Sequence, residues 1–333
     1  MQNIKIVEGT YKIRGKDVDL AGMVFPLVEH FKVGAKGGYV TVDGKAVQGF
    51  PDRNIKISVS SEHAYEDAGK DAAITQREES DEETIERLRE RFDMLEDMTR
   101  ACKKGDVKAM IVSGPPGVGK SFGVEKVLGK HDTLAALADR PARYQVVKGA
   151  MSAIGLYCKL FNYADKDNVL VFDDCDSIFA DELSLNILKA ALDSKKTRTI
   201  HWNTDSFKLR NEGVPDSFEF KGSAIFITNL KFDKAKGKIR EHLMALESRC
   251  HYIDLTIDTD REKMLRIKQI TKDGMLDEYK FEGDEVQEIV DFVDINKNRL
   301  RELSLRTVLK VADLAKAFPL KWEAMAENTV MKR

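Results

Sequence analysis

Residues 113–121 read SGPPGVGKS and follow directly on the apolar run Met110-Ile111-Val112. This stretch decides the fold, because it fits the pattern G-x-x-x-x-G-K-[ST] between a buried strand and the start of a helix. Glycines allow a tight turn that aims backbone N–H groups at an anion, and the helix N-terminus adds the positive end of its dipole. The stretch therefore predicts a phosphate-binding loop.

The predicted nucleotide site runs from the first glycine of this loop into the following helix. Its members are Gly114, Pro115, Pro116, Gly117, Val118, Gly119, Lys120, Ser121 and Phe122. We expect Lys120 to reach the β- and γ-phosphates of a bound nucleotide and the hydroxyl of Ser121 to ligate Mg²⁺.

A second motif lies downstream, where the apolar run 169–172 ends in two carboxylates. We expect Asp173 to hold the metal together with Ser121. We expect Asp174 to orient or deprotonate the attacking water. The alternative is an acidic strand end that only caps the next helix.

Strands and helices alternate around these motifs. The apolar runs 107–113, 144–149, 168–174, 223–229 and 251–256 predict strands, with helical patterns between them. The runs are too continuous for half-exposed strands, so they favour a parallel α/β sheet covered on both faces. From about residue 258 the pattern is helical throughout, which predicts a separate helical lid subdomain at 258–333.

The first part of the chain has a different pattern. Residues 37–47 alternate around an Asp-Gly turn signal, and 54–60 form another alternating run. An acidic stretch follows at 61–90, and helical apolar spacing begins near Asp81. The expected organisation is a β-rich region and linker at 1–75, an α/β nucleotide-binding subdomain at 76–257 and the lid.

Composition excludes several classes of protein. The 333 residues carry 54 basic and 56 acidic side chains, so the net charge of -2 makes any DNA contact a local patch. The four cysteines are widely spaced without a C-x-x-C pair, which argues against a metal site. No apolar run approaches the roughly 20 residues of a membrane span, and the start has no signal-peptide core. We therefore expect a cytoplasmic protein without a membrane partner.

The motifs GPPGVGKS, VLVFDDCD, IFITN and ALESRC together resemble the AAA+ ATPases over about residues 80–330. Within that family, the sequence is most similar to AAA+ proteins encoded by tailed bacteriophages. That resemblance implies a location in the host cytoplasm. The resemblance implies an oligomeric ring, most commonly a hexamer in that family, with ATP and Mg²⁺ bound at subunit interfaces.

The resemblance also implies three roles. Asn229 matches sensor 1, which positions the lytic water. Arg249 matches the arginine finger that acts on the neighbouring subunit's ATP, with Arg240 as its rival. Arg306 matches sensor 2, with Arg299 and Arg301 as rivals.

Two positions depart from the family pattern. Asp173-Asp174 stands where many members carry Asp-Glu, so hydrolysis could be slow. Ring-forming unfoldases usually place an aromatic residue after the second core strand, whereas residues 148–151 read Lys-Gly-Ala-Met. This second departure weakens an unfoldase interpretation.

Two basic stretches are candidates for DNA binding. In 195–202, basic residues accompany Trp202 in a predicted hairpin, where cations could follow phosphates and the indole could stack on a base. A sheet edge with solvated lysines and a core tryptophan is the alternative. In 231–240, Lys231, Lys234, Lys236, Lys238 and Arg240 could face DNA, a neighbour's nucleotide or water.

Three functions fit these motifs. The first is an ATP-driven motor or loader acting on DNA or a DNA–protein complex. The second is a remodeller of protein complexes that binds its partner through residues 1–75. The third is a protein that assembles on binding ATP and turns over slowly.

Overall fold

The computed structural model describes residues 2–13, 15–47, 50–51, 53–69, 72–74, 79–137, 142–232 and 235–332, without the side chains of Lys16, 130–136 and Lys238. The chain divides into two compact units, which span residues 1–84 and 85–333. The three-part division drawn from the sequence stays a prediction. Within the described ranges, no helix is long and apolar enough to cross a bilayer.

The first unit is a seven-stranded antiparallel sheet. Its strands are β1 Asn3–Ile6, β2 Thr10–Ile13, β3 Lys16–Asp19, β4 Val24–Gly34, β5 Gly37–Asp43, β6 Asn54–Ser58 and β7 Tyr65–Asp67. They lie in the order β3-β2-β6-β5-β4-β1-β7. Ile55 and Ile57 of β6 are buried while their neighbours along the strand are exposed, as the two-residue period of a one-sided sheet requires. The predicted β-rich character of this region is confirmed.

The alternating pattern of β5 ends at the Asp43-Gly44 turn. The carboxylate of Asp43 accepts a hydrogen bond from the backbone N–H of Lys45 at 3.0 Å, and residues Gly44–Ala46 form a 3₁₀ turn. β5 pairs instead with β6, where Asp43 lies opposite Asn54. The turn predicted at Asp43-Gly44 is confirmed, whereas the alternation after it does not form a strand over 44–46.

The second unit contains the predicted α/β pattern. Its strands are β8 Ala109–Ser113, β9 Tyr144–Lys148, β10 Val169–Asp173, β11 Thr199–His201, β12 Ser217–Glu219, β13 Ser223–Thr228 and β14 His251–Asp254. The helices from Asp81 onward are α1 Asp81–Lys103, α2 Lys120–Leu137, α3 Ala153–Asn162, α4 Ser177–Ala180, α5 Glu182–Ala191, α6 Phe207–Asn211, α7 Gly237–Glu247, α8 Asp260–Ile270, α9 Glu285–Ile295, α10 Leu305–Ala317 and α11 Trp322–Val330.

A five-stranded parallel sheet, in the order β14-β8-β13-β10-β9, is the centre of this unit. Successive residues of β8 point to opposite faces. Met110 packs in the cluster that holds Leu95 of α1, whereas Ile111 packs in the cluster that holds Leu156 of α3. β8, β10 and β13 are buried at every position because both faces are covered. The predicted parallel sheet is confirmed.

Two further parts complete this unit. β11 and β12 pair antiparallel as a separate two-stranded hairpin, which the sequence also predicted. Helices α8 to α11 share a hydrophobic core of their own, which includes Ile267, Val293, Val308 and Ala326. The helical pattern predicted from residue 258 onward is confirmed.

Candidate functional site

The glycine-rich loop joins β8 to α2. Gly117 and Gly119 have φ values of 70° and 98°, which lie in the left-handed region that favours glycine. A Cβ on Gly117 would also lie 2.6 Å from the Cβ of Ser304, so a larger residue would displace the loop. The backbone turns sharply here, and Lys120 becomes the first residue of the helix.

The other residues of the predicted nucleotide site differ in burial. A Cβ on Gly114 would meet the backbone oxygen of Leu255 at 3.0 Å, and Val118 is buried. Pro115 is half-buried and Pro116 is exposed. Phe122, predicted to contact the nucleotide, is 58% exposed.

Lys120 is buried, with 6% of its surface exposed. Its ammonium group donates to the backbone oxygens of Gly114 at 2.6 Å and Pro115 at 2.8 Å, and to Oδ1 of Asn229 at 2.8 Å. Burial lowers the pKa of Lys120 to about 8, and the nearby charge of Asp174 opposes that shift. A bound anion would therefore favour the charged form of Lys120 and raise this pKa.

Asp173, at the end of β10, lies beside the start of α2. Its Oδ1 accepts a hydrogen bond from the hydroxyl of Ser121 at 3.0 Å. Its Oδ2 forms an ion pair with Nζ of Lys148 at 3.2 Å, because the parallel register of β9 and β10 aligns these two strand ends. The predicted pair Ser121 and Asp173 therefore lies together, with a lysine that was not predicted there.

Asp174 and Asn229 meet at the same edge of the sheet. Asp174 has a φ of 54°, and its N–H donates to the backbone oxygen of Ile227 at 3.0 Å. Its Oδ1 accepts from the amide nitrogen of Asn229 at 2.9 Å. Asn229 thus links Asp174 to Lys120 through the two ends of one amide.

Asp176 adds a third carboxylate behind this pair. Burial raises its pKa, although the hydroxyl of Thr228, which donates to Oδ1 at 2.7 Å, opposes that shift. Asp176 occupies the residue before α4, but its side chain makes no capping hydrogen bond to that helix.

The oxygen ligands suit a hard cation that brings further ligands with it. Ser121 and Asp173 offer one hydroxyl and one carboxylate within 3.0 Å of each other. Among the described residues, no cluster of three or more histidine, cysteine or acidic side chains could hold a metal alone. Mg²⁺ usually completes its shell with waters and nucleotide phosphates, so the residues fit that ion.

The start of α10 meets the glycine-rich loop. The N–H of Leu305 donates to the backbone oxygen of Gly117 at 2.9 Å. Arg306 is exposed in the first turn of α10, and its charge is among those that lower the pKa of Lys120. The rival Arg301 donates through Nε to the backbone oxygen of Met331, and Arg299 lies 3.5 Å from Oδ1 of Asn296. Of the three arginines, Arg306 therefore lies on the helix that contacts the loop.

Arg249 follows α7 and is exposed. In the part of the chain that the structure describes, its side-chain hydrogen bonds go to its own turn. They reach the backbone oxygen of Ala245 at 2.6 Å and the hydroxyl of Ser248 at 3.3 Å. Its guanidinium thus lies at the surface.

Comparison with known proteins identifies the family. The chain is 33% identical over 337 aligned positions to the "Uncharacterized 36.7 kDa protein in nrdC-mobD intergenic region" of Enterobacteria phage T4. The match covers 98% of this chain and 97% of the phage protein. This chain belongs to the family of that phage T4 protein.

Two other comparisons add little to this family assignment. No protein-family model matches the chain. Among solved structures, a chain of the S. cerevisiae Hsp104:casein complex in its extended conformation matches with a TM-score of 0.38 and 14% identity. The match covers 74% of this chain, which spans 40% of the Hsp104 chain. A TM-score this low does not establish a shared fold.

The first basic stretch of this family member is partly buried. Arg198, which is 5% exposed, donates to the backbone oxygens of Ala191 at 3.0 Å and Gly222 at 2.9 Å. Trp202 is half-buried and packs on Tyr157, with ring centroids 5.5 Å apart. These two side chains match the alternative of a core-packed hairpin. Within 195–202 a DNA contact would fall on the exposed basic residues Lys195, Lys196 and His201.

The second basic stretch is only partly described. Lys231 pairs with Asp258 at 3.3 Å, and Arg240 is exposed. Lys234 lies outside the described residues, as does the side chain of Lys238. DNA binding through 231–240 therefore stays a prediction.

Proposed function

We propose that this protein is an AAA+ ATPase that hydrolyses ATP with Mg²⁺ at the subunit interfaces of a homo-oligomeric ring. The observation that carries the proposal is the connection of Lys120 through Asn229 to Asp174. The connection begins at the end of a glycine-rich loop between a parallel strand and a helix, with Ser121 and Asp173 alongside. This arrangement combines an anion site, a metal site and a carboxylate for water in one place.

Each residue has a distinct task in this proposal. Lys120 and the backbone N–H groups at the start of α2 bind the phosphates. Ser121 and Asp173 hold Mg²⁺, which when bound supplies positive charge to the phosphate oxygens. Asn229 orients the carboxylate of Asp174, which positions the attacking water and takes its proton.

Two arginines complete the proposed site. Arg306 approaches from the lid, where Leu305 already contacts the loop. Arg249 is exposed and serves the nucleotide of a neighbouring subunit, so hydrolysis depends on assembly. The ring, its hexameric form and the use of Arg249 in trans all belong to the proposal.

The proposed substrate is DNA or a DNA–protein complex in phage biology, bound through Lys195, Lys196 and the 231–240 stretch. A protein complex is the second candidate, and the burial of Arg198 favours it because that cation is not available to a phosphate backbone. In that case the antiparallel first unit would bind the partner. The third candidate is a protein that assembles on binding ATP and turns over slowly. An aspartate at position 174, where many AAA+ proteins carry glutamate, would agree with slow turnover.

The release of phosphate from ATP in the presence of Mg²⁺ tests the proposal, and Lys120→Ala serves as the blank. We would measure the full chain alone, with single-stranded DNA and with double-stranded DNA at moderate salt. Turnover above the blank supports an ATPase, and turnover equal to the blank under conditions of assembly overturns it. Stimulation by DNA supports the first substrate, whereas turnover that ignores DNA favours a protein complex.

A further inference from the structure

Lys148 lies against the proposed metal ligand. It ends β9, and Asp173 ends β10, so the parallel register aligns the two side chains. Nζ of Lys148 is 3.2 Å from Oδ2 of Asp173 and 3.2 Å from Oε1 of Glu125 on α2. One ammonium group therefore has two carboxylate partners, of which one is a proposed ligand of Mg²⁺.

The two oxygens of Asp173 have different partners. Oδ1 accepts from the hydroxyl of Ser121, and Oδ2 faces the ammonium group of Lys148. The side chain of Asp173 is 8% exposed, whereas that of Lys148 is 61% exposed. The lysine thus approaches a nearly buried carboxylate from the solvent side, and its flexible chain can withdraw without moving either strand.

The charges of the Lys148–Asp173 ion pair bear on metal binding. A buried carboxylate needs a compensating cation, and Lys148 supplies one when the carboxylate has no metal. A divalent ion on the same carboxylate would repel an ammonium group held only a few ångströms away. Glu125 gives Lys148 a second partner, so the lysine can release Asp173 and keep an ion pair.

We propose that Lys148 is a built-in counter-ion that competes with Mg²⁺ for Asp173, and that Glu125 is the partner to which it withdraws. The inference rests on the proposed nucleotide site and deepens it by naming what sets the Mg²⁺ requirement. Lys148 is a positioning residue in this role, because it acts through Asp173.

Two substitutions shift the Mg²⁺ requirement in opposite directions. Lys148→Met removes the competitor, so the Mg²⁺ concentration at half-saturation falls about fivefold, the scale of a partly exposed ion pair. Glu125→Gln removes the alternative partner, so Lys148 stays on Asp173 and the midpoint rises about threefold. Lys148→Arg keeps the positive charge, so its Mg²⁺ concentration at half-saturation stays closer to that of the wild type than to that of Lys148→Met.

The measurement uses the full chain with a non-hydrolysable ATP analogue. Mg²⁺ is titrated, and the melting temperature and the heat of binding are followed, so no readout depends on turnover. Lys268→Met, which breaks the lid ion pair of Lys268 with Asp294, is the matched control with an unchanged midpoint.

The outcomes separate this inference from the proposed function. Opposite shifts for Lys148→Met and Glu125→Gln support it. A wild-type chain that saturates with Mg²⁺, while both variants keep its midpoint or move in the same direction, overturns the inference alone. A wild-type chain whose nucleotide binding does not respond to Mg²⁺ overturns the inference and the proposed metal site together.

Discussion

Lys120 and Arg198 are two buried cations of the same α/β unit, and their surroundings differ. Lys120 donates to two backbone oxygens of a glycine-rich loop and to Asn229, with the carboxylates of Asp173 and Asp174 close enough to raise its pKa against the effect of burial. Arg198 donates to the last residue of α5 and to the residue before β13, and it stacks near Phe220. Both make hydrogen bonds to backbone oxygens, but the charges of Asp173, Asp174 and Asp176 act on Lys120, whereas Glu219 acts on Arg198.

The difference indicates different uses of a buried charge. Arg198 joins two chain segments that flank the β11–β12 hairpin, so its charge stabilises the local fold. Lys120 lies in a loop whose glycines already occupy left-handed backbone angles, at the edge where three parallel strands end in polar residues. A bound phosphate can replace its loop carbonyls as hydrogen-bond acceptors. Substitutions can test this contrast.

Lys120→Ala has the largest expected effect. Loss of the ammonium group removes the phosphate contact made in the transition state, and we expect ATP turnover to fall about a thousandfold, or about 4 kcal/mol. Phosphate release measures this, and urea unfolding shows whether the variant is folded. A folded Lys120→Ala chain with wild-type turnover would contradict the site.

Arg249→Ala adds an exposed cation to the comparison of the buried cations Lys120 and Arg198. If Arg249 serves a neighbouring subunit, its loss spares ATP binding and lowers turnover about a thousandfold in the assembled protein. Mixing Arg249→Ala with Lys120→Ala subunits then restores part of the turnover, because intact sites form between unlike subunits. Arg210→Ala, another exposed arginine, is the control.

No recovery of turnover under conditions where mixed assemblies form would argue against action in trans. Recovery requires one subunit to supply Lys120 and its neighbour to supply Arg249. The experiment therefore tests geometry between subunits rather than the chemistry of either residue.

Arg198→Met changes stability instead of turnover. It removes two hydrogen bonds from a charged donor, worth about 3 kcal/mol together, and relieves part of the cost of burying a charge. We expect the free energy of unfolding to fall by about 2 kcal/mol in urea. Turnover per folded molecule stays within about twofold. Lys196→Met, at an exposed position, changes unfolding by less than about 0.5 kcal/mol.

A large loss of DNA-stimulated turnover in folded Arg198→Met would overturn this structural interpretation. It would mean that Arg198 leaves its carbonyl partners to meet a phosphate backbone. Loss of stimulation in Lys195→Met combined with Lys196→Met, at unchanged stability, would instead place the contact on the exposed lysines.

Much of the fold and part of the candidate site could be predicted from the sequence. Continuous apolar runs predict a covered parallel sheet, and the phosphate-loop motif with the carboxylates after the third run predicts that Ser121 and Asp173 share a metal. The position of Lys148 could not be predicted, because it depends on which strand lies beside β10. Arg198 follows two exposed lysines, and its burial results from packing of the hairpin that no local pattern encodes.

The smallest expected effect is the uptake of part of a proton by Lys120 when a nucleotide binds. Burial lowers the pKa of Lys120 from its ordinary 10.5 to about 8, and bound phosphates favour the charged form. Well below pH 8 the group is already protonated, so binding takes up almost no proton there. At about pH 8.5, binding takes up roughly three-quarters of a proton. Calorimetry in two buffers with different heats of ionisation measures that number.

Linkage fixes the sign of the companion effect on stability. The unfolded chain binds more protons than the folded chain between pH 8 and 10.5, so Lys120 makes the free energy of unfolding rise with pH across that range. Lys120→Arg stays charged throughout, so it shows neither this rise nor the proton uptake. Equal proton uptake by wild-type and Lys120→Arg would assign the proton to another group. The contrast between a titrating lysine and a structural arginine would then lose its basis.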